Sequence, residues 1–533
     1  MFGLTIWQLV LSLVGVVFLI VLIYDLTQRG SAVLRIFPIL GHVRYFLIEI
    51  GPELRQYLVA GDREELPFDR TEREWIYHSS ERKNNYFGFG TNDQLYGIGY
   101  PIIKHSMFPY GEEAFTGSKH DKKVQIPCAK VIGAAHGRKM PYRPTSIINI
   151  SAMSYGSMGK NAISALNRGA QLANCFHNTG EGGCSKYHRF GADICLQLGT
   201  GYFGARDLEG RFDPDKLQQT LREVPQIKMI EITLSQGAKP GKGGVLPAAK
   251  VTAEIAAARG IPQGQDCISP NSHCEFSDAD GLLDFVEKIA EISGRPVGVK
   301  SAIGQLAFFY ELAEKMKADG RGPDFITVDG GEGGTGAAPL TLADHVALPF
   351  RLAFTRVYQV FHQAGLTDDI TFIASGKLGF PDRAVVAMAL GADLINCARE
   401  TMLSIGCIQA QKCHLGNCPT GVTTHSWWRQ RGLHVGENAS RAQAYIETFR
   451  IELNAVTHAA GYRHPGQFTP HDVEVSSGPG IFKSLYEIYG YNKKQYTPDS
   501  KPVFKEAESH NRPPLVVNME TPIPSQPASP SSV

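Results

Sequence analysis

The sequence predicts an α/β protein, a (β/α)8 TIM barrel preceded by a single N-terminal transmembrane helix. Three observations predict it. From about residue 145, short unbroken apolar runs alternate with glycine-rich loops and amphipathic stretches. Residues 2–24 carry no charge at all. Most of the 56 glycines fall in short runs between apolar stretches, the mark of a fold built from many tight loops. Apolar runs without period-2 alternation are what parallel strands buried on both faces require. Their repeated alternation with helices over about 250–300 residues favours a closed barrel over an open doubly wound sheet, which stays the alternative.

The N-terminal run FGLTIWQLVLSLVGVVFLIVLIY would form a helix of roughly 35 Å, enough to cross a hydrocarbon core of roughly 30 Å. A signal peptide would need a basic leader, a shorter core and a small-residue cleavage site, and the run shows none of these. Arg29, Arg35 and Arg44 come after it, and no basic side chain precedes it. The positive-inside rule then puts the rest of the chain in the cytoplasm, a single-pass protein of the cell membrane. Residues 36–49 are apolar but too short and too charged to span, and suit the membrane surface.

Six strands are legible: residues 146–154, 229–235, 296–303, 325–330, 371–375 and 394–398. Residues 277–293 read as a helix with Ser277 as N-cap, an apolar stripe of Leu282, Phe285, Val286, Ile289 and Ile292, and Gly294 and Pro296 as a stop. Residues 381–390 start with proline at the first helical position and end at Gly391. The glycine-rich and charged motifs come after the strands, where a barrel places its chemistry. They are 153–156, 235–244, Lys300 with Ser301, 329–336, 375–377 and 398–399. From about residue 502 the chain is rich in Pro and Ser and poor in large apolar residues, and is expected to be disordered. A net charge of +1 argues against a nucleic-acid surface.

Two features suggest redox chemistry. Lys300 is an isolated cation ending an apolar strand; it calls for either a structural ion pair or an anionic ligand edge such as that of a reduced flavin. Cys407, Cys413 and Cys418 have the spacing C-x5-C-x4-C, with proline after the last. Three thiols this close, in a chain without secretory character, suit a metal better than a disulfide. An iron–sulfur cluster lacking a fourth cysteine fits. Zinc would need His414 and lacks the usual C-x2-C knuckle, and a chance thiol cluster is the plain alternative. The other seven cysteines are scattered and suit small buried positions.

At this point the motifs become recognisable. SAMSYGSMGKNAISALNRGA (151–170), NTGEGG (178–183), QGAKPGKGGVLPAAKVTAEIA (236–256), ISPNSH (268–273), GGTGAAPL (333–340) and GCIQAQKCHLGNCPTGV (406–422) resemble the FMN-binding domain of glutamate synthases, and more closely its stand-alone relatives. The resemblance implies a barrel holding FMN at its mouth beside a 3Fe–4S cluster. Cys407, Cys413 and Cys418 match the cluster ligands. Ser151, Ala152 and Met153 match the segment lying along the flavin, Gln197 the glutamine bonded to its ring, and Lys300 the lysine at its N1 edge. Gly333, Gly334 and Thr335, with Ser375, Gly376, Lys377, Ala398 and Arg399, match the loops around the ribityl phosphate. Lys239 and Glu181 match residues beside the 2-oxo acid, Lys239 polarising the oxo or imine group and Glu181 assisting proton transfer. The implied reaction is reductive amination of 2-oxoglutarate, a step of amino-acid biosynthesis by an oxidoreductase acting on CH–NH2 donors.

The expected organisation is a transmembrane helix over 2–24, a juxtamembrane and cap region over 25–120, the barrel with its iron–sulfur loop over 121–470, and a C-terminal extension over 471–533. Two departures matter. The sequence carries no glutaminase domain with an N-terminal cysteine, so free ammonia is expected as co-substrate. Val245 stands where the family has a glutamine that helps hold the substrate, which leaves the 2-oxo acid open between 2-oxoglutarate and a relative. No nicotinamide-binding segment is visible, so electrons are expected from a ferredoxin-like donor, a separate flavoprotein or membrane quinones. The alternatives are a membrane-tethered electron-transfer module with a vestigial amino-acid site, and a hydroxy-acid-oxidase type of FMN barrel without a cluster.

Overall fold

Eight short parallel strands close into a barrel in the computed structural model of the chain, which describes residues 5–111 and 124–496. They are β1 (Ile148–Ile150), β2 (His177–Asn178), β3 (Ile194–Leu198), β4 (Ile227–Thr233), β5 (Val297–Ala302), β6 (Phe325–Asp329), β7 (Thr371–Ser375) and β8 (Leu394–Cys397). Each strand pairs with its neighbour in sequence, and Ile395 opposite Ile148 joins the last to the first. Nearly every strand residue is buried, which is why the runs read as continuously apolar. The expected (β/α)8 barrel is therefore the fold.

Six strands lie where the sequence places them. β2 and β3 escape a reading of the sequence for different reasons. β2 has only two residues, both polar, and β3 carries a buried glutamine that interrupts its apolar run. The crossover between them holds a single 3-10 turn, Lys186–His188, so the alternation of strand with helix breaks there. The helix expected over 277–293 forms as Ala279–Ser293, and its N-cap is Asp278 rather than Ser277. Asp278 wins because its carboxylate accepts from Gly281 N at 2.8 Å, satisfying a first-turn donor. A long C-terminal helix, Val435–Ala459, packs on Lys160–Ala173. The crossing is tight at Gly169, where a Cβ would come within 2.7 Å of Ala442 Cβ.

The chain divides into two compact units, Met1–Arg73 and Glu74–Val533. In the first, helix Ile6–Thr27 is long and apolar enough to cross a membrane, and its apolar side chains are exposed. Asp25, buried near its end, accepts from Ile39 N at 2.8 Å and meets His42 Nε2 at 2.9 Å, fixing the turn into helix Leu40–Leu54. In the second unit, strands Pro101–Ile103, Val473–Gly478 and Ile481–Ser484 form a small antiparallel sheet. The disorder expected from about residue 502 concerns residues outside those described.

The barrel interior is not wholly apolar. Glu231 on β4 is 1 % exposed. Its carboxylate accepts from Gln197 Nε2 (2.6 Å), Asn178 Nδ2 (2.8 Å) and Thr327 Oγ1 (2.7 Å), drawing one donor from each of β3, β2 and β6. A buried carboxylate is tolerable only when its oxygens are satisfied in this way. Glu231→Ala orphans three buried donors and should cost ~3 kcal/mol or more. Glu231→Gln keeps the volume and part of the bonding and should cost less. Denaturant midpoints of the three proteins measure this, and a wild-type midpoint for Glu231→Ala refutes it.

Candidate active site at the strand ends and the cysteine loop

Every residue singled out in the barrel lies on a strand or on the segment directly after one. Ser151, Ala152 and Met153 come after β1, Glu181 after β2, and Gln197 is on β3. Lys239 comes after β4, Lys300 is on β5, and Gly333, Gly334 and Thr335 come after β6. Ser375 ends β7 with Gly376 and Lys377 directly after it, and Ala398 and Arg399 come directly after β8. Parallel strands in a closed barrel present these ends on one face, so the motifs converge without any loop having to reach far.

Two ion pairs organise that face. Lys300 Nζ lies 3.5 Å from Asp329 Oδ2, both side chains buried. Burial pulls the Lys300 pKa down, but Asp329, Glu231 and Glu181 outweigh it and hold the ammonium above its ordinary pKa. Asp329 also accepts from Gly237 N at 2.9 Å, tying the loop after β4 to the end of β6. In the second pair, Lys239 Nζ lies 3.6 Å from Glu181 Oε1, with Lys239 buried. Glu181 is held between two glycines. A Cβ at Gly199 would stand 2.9 Å from its Cβ, and one at Gly244 would overlap its carboxylate.

Glycine is required for the close approach of these loops. A Cβ on Gly237 would overlap the Gly330 carbonyl. Gly376 has φ +124°, and its Cβ would press on the Gly330 backbone at 3.1 Å. A Cβ on Gly334 would come within 2.7 Å of the Arg399 side chain, whose guanidinium donates to the Glu332 carbonyl. The 333–335, 375–377 and 398–399 segments are thus one platform. The segment after β1 is fixed from two sides: Met153 N donates to Asn178 O at 3.1 Å, and His188 Nε2 donates to Met153 O at 2.9 Å. Burial holds His188 down to about 4, so it is neutral, and its Nδ1 accepts from Ser185.

The cysteine loop leaves the barrel after helix Arg399–Ser404, next in the chain after β8. All three thiols are free. Burial pushes Cys407 up to about 12. Cys413 also rises through burial, whereas at Cys418 burial is outweighed by hydrogen bonds from Thr423 and Thr420, which lower the thiol. Tyr77 Oη donates to the Cys407 carbonyl at 2.9 Å, and Lys250, 1 % exposed, donates to Ser157 O at 2.6 Å. Burial draws the Lys250 ammonium down to about 8, against the pull of Cys413 and Cys418. Among the described residues, no three His, Cys, Asp or Glu side chains are disposed to hold one metal ion. Cys407, Cys413 and Cys418 are thus not gathered around one point as a single-ion site.

Three functional candidates are not singled out by the sequence. Glu231 is the single acid in an apolar strand, the same signal that exposes Lys300. Asp329 lies where the 325–330 strand meets the glycine-rich 329–336 motif, and its neighbours give it no distinct signal. Lys250 gives no local signal, because only the fold brings it to the cysteines.

The family described as "Conserved region in glutamate synthase" matches residues 112–463. The "Glutamate synthase large subunit-like protein YerD" of Bacillus subtilis is 39% identical over 488 residues, covering 86% of this chain and 92% of its own. The "Archaeal-type glutamate synthase [NADPH]" of Thermotoga sp. is 34% identical over 318 residues, 59% of each chain. Among solved structures, a flavocytochrome b2 variant with pyruvate bound aligns at TM-score 0.40 and 11% identity over 86% of this chain and 92% of its own. On the extent of the sequence matches, the chain belongs to the glutamate synthase family of oxidoreductases.

Proposed function

We propose that this protein is an FMN and 3Fe–4S dependent enzyme that reductively aminates 2-oxoglutarate, or a related 2-oxo acid, with free ammonia. The observation that carries the reading is the Lys239–Glu181 pair, 3.6 Å apart, on the same strand-end face as the charged Lys300. The reaction replaces a C=O by a CH–NH2, consumes ammonia, two electrons and two protons, and releases water. When bound, FMN supplies the hydride to the substrate carbon. Lys239 Nζ donates a hydrogen bond to the oxo oxygen and a proton as that oxygen leaves in water, and Glu181 Oε1 stands next to it to return the proton. Gly244 packs on Glu181 and Val245 is the next residue, so the missing glutamine leaves the reacting end of the oxo acid to Lys239 and Glu181.

The strand ends fit a flavin on two counts. Lys300 is a buried cation held protonated, which a flavin N1–C2=O edge can use. The platform of Gly333, Gly334, Thr335, Ser375, Gly376, Lys377, Ala398 and Arg399 is closely packed, glycine-lined and cationic, as a phosphate requires. Ser151, Ala152 and Met153 would lie along the ring, and Gln197 would bond it. With its Nε2 committed to Glu231, the Gln197 amide offers its oxygen as acceptor. In a three-iron cluster each thiolate would bind its own iron. Cys407, Cys413 and Cys418 would hold it, with Lys250 offsetting their charge. The cluster, when bound, stores and passes single electrons from a ferredoxin-like donor or a separate flavoprotein. Helix Ile6–Thr27 would anchor the protein to the cell membrane, with Arg29, Arg35 and Arg44 keeping the rest of the chain in the cytoplasm and residues 36–49 at the membrane surface. A module that only relayed electrons would have no use for a buried lysine paired with Glu181.

Three measurements test this. Dithionite-reduced protein given 2-oxoglutarate and ammonium should form glutamate, and Lys239→Ala should lower the rate ~100-fold or more with FMN content unchanged. Wild-type rates in that variant would favour the relay. Cys413→Ser should abolish the low-temperature EPR signal of an oxidised three-iron cluster while FMN stays bound, and a persisting signal contradicts the ligand assignment. The full chain in isolated membranes should resist extraction by high salt and alkaline carbonate; its release into the supernatant would rule out the anchor.

A further inference from the structure

The cysteine loop continues into an exposed patch with two adjacent tryptophans and several basic residues. Residues 401–436 contain no Asp or Glu, but they contain Lys412, Arg429 and Arg431. At its centre are two adjacent tryptophans on the surface, Trp427 at 74% and Trp428 at 57% exposure. Their rings meet edge to face at 5.8 Å, and the Arg431 guanidinium lies 3.5 Å over Trp428. Both tryptophans lie outside the buried core. Trp and Arg are the residue types that dominate binding hot spots.

The patch is clipped to the cysteines. Gln430, buried beneath it, donates to Thr424 O at 2.7 Å, and Thr424 Oγ1 donates to Gly416 O at 2.5 Å, between Cys413 and Cys418. Leu415, in the same turn, is half exposed. The cysteine loop also borders a cleft lined by Glu74, His78, Glu81, Lys83 and Arg441. There the charges cancel, Glu81 pairing with both Lys83 (2.6 Å) and Arg441 (2.9 Å). The tryptophan patch, by contrast, presents Arg429 and Arg431 exposed next to the cysteine loop.

We propose that the patch around Trp427, Trp428, Arg429 and Arg431 is the docking surface for a small acidic protein that carries one electron at a time. Its role as an entry point rests on the reading of the cysteine loop given above; the surface itself does not. In each encounter the carrier loses one electron and this protein gains one. Small redox complexes of this kind are held by modest interfaces and steered by charge, so binding should be weak, fast and sensitive to salt.

The test uses the full chain in detergent and a small acidic 2Fe–2S ferredoxin as probe. Oxidised ferredoxin should bind wild type at low salt and weaken at least tenfold by 0.3 M NaCl. Arg429→Glu with Arg431→Glu, and separately Trp427→Ala with Trp428→Ala, should each weaken binding at least tenfold. In both, flavin and iron content and reduction by dithionite should stay as in wild type. Unchanged binding by the charge-reversed variant overturns the proposal, as does no binding by wild type. So does a result in which only the tryptophan variant changes and what it loses is binding to phosphatidylglycerol vesicles, which would make the patch a lipid contact. If wild type lacks iron yet binds ferredoxin through these residues, the docking surface stands and the cluster reading fails.

Discussion

The structure depends on keeping one lysine charged inside the barrel. Lys300 sits in a fully buried strand, where burial pulls the ammonium pKa down. Asp329 and Glu231 counter this, and satisfying those carboxylates in turn recruits Asn178, Gln197, Thr327 and the Gly237 amide. The network touches every strand from β2 to β6. Register has to serve it: Thr233 lies opposite Lys300, Ala302 opposite Asp329, and Glu231 opposite Gly298. Gly298 has no side chain because the Phe325 ring fills the space where its Cβ would be. A one-residue slip would turn Lys300 out of the barrel and leave the carboxylates unpaired.

The same network organises the strand-end face on which the proposed chemistry would take place. Asp329 pins the loop after β4 through Gly237, and that loop carries Lys239 to Glu181. Glu231 holds the Gln197 amide in one orientation. Stability and function are therefore not separable at this end of the barrel: the groups that neutralise the buried charge also aim the side chains at the mouth.

The legible part of the sequence is the local part. Six strands are legible because burial on both faces writes an unbroken apolar run, and β2 and β3 are not because His177, Asn178 and Gln197 are polar residues serving the interior. Glycine motifs place the mouth because they mark close backbone approach, which Gly237 and Gly376 bear out. The cap of helix Ala279–Ser293 differs by one position from the expected one, since either Ser277 or Asp278 could cap and only geometry chooses. Lys250 and the Tyr77 contact to Cys407 are illegible in principle. They join segments about 160 and 330 residues apart, and neither leaves a mark on its own neighbourhood.

On the function proposed above, the strand order would let such a chain change its substrate without changing how it is reduced. Glu181 and Lys239 come after β2 and β4, and the loop containing Val245 belongs to the same side of the sheet order. The cysteine loop comes after β8, which pairs with β1 on the other side. The segment Ser151–Met153 comes after β1, between the two. It is held toward β8 by Ser151 N on Cys397 O at 2.8 Å, and toward β2 by Met153 N on Asn178 O at 3.1 Å. A substitution such as valine for glutamine at 245 alters groups beyond β2 and leaves the β8 side untouched. On the function proposed above, substrate choice could drift in this architecture while the path by which electrons would reach the barrel mouth stays fixed.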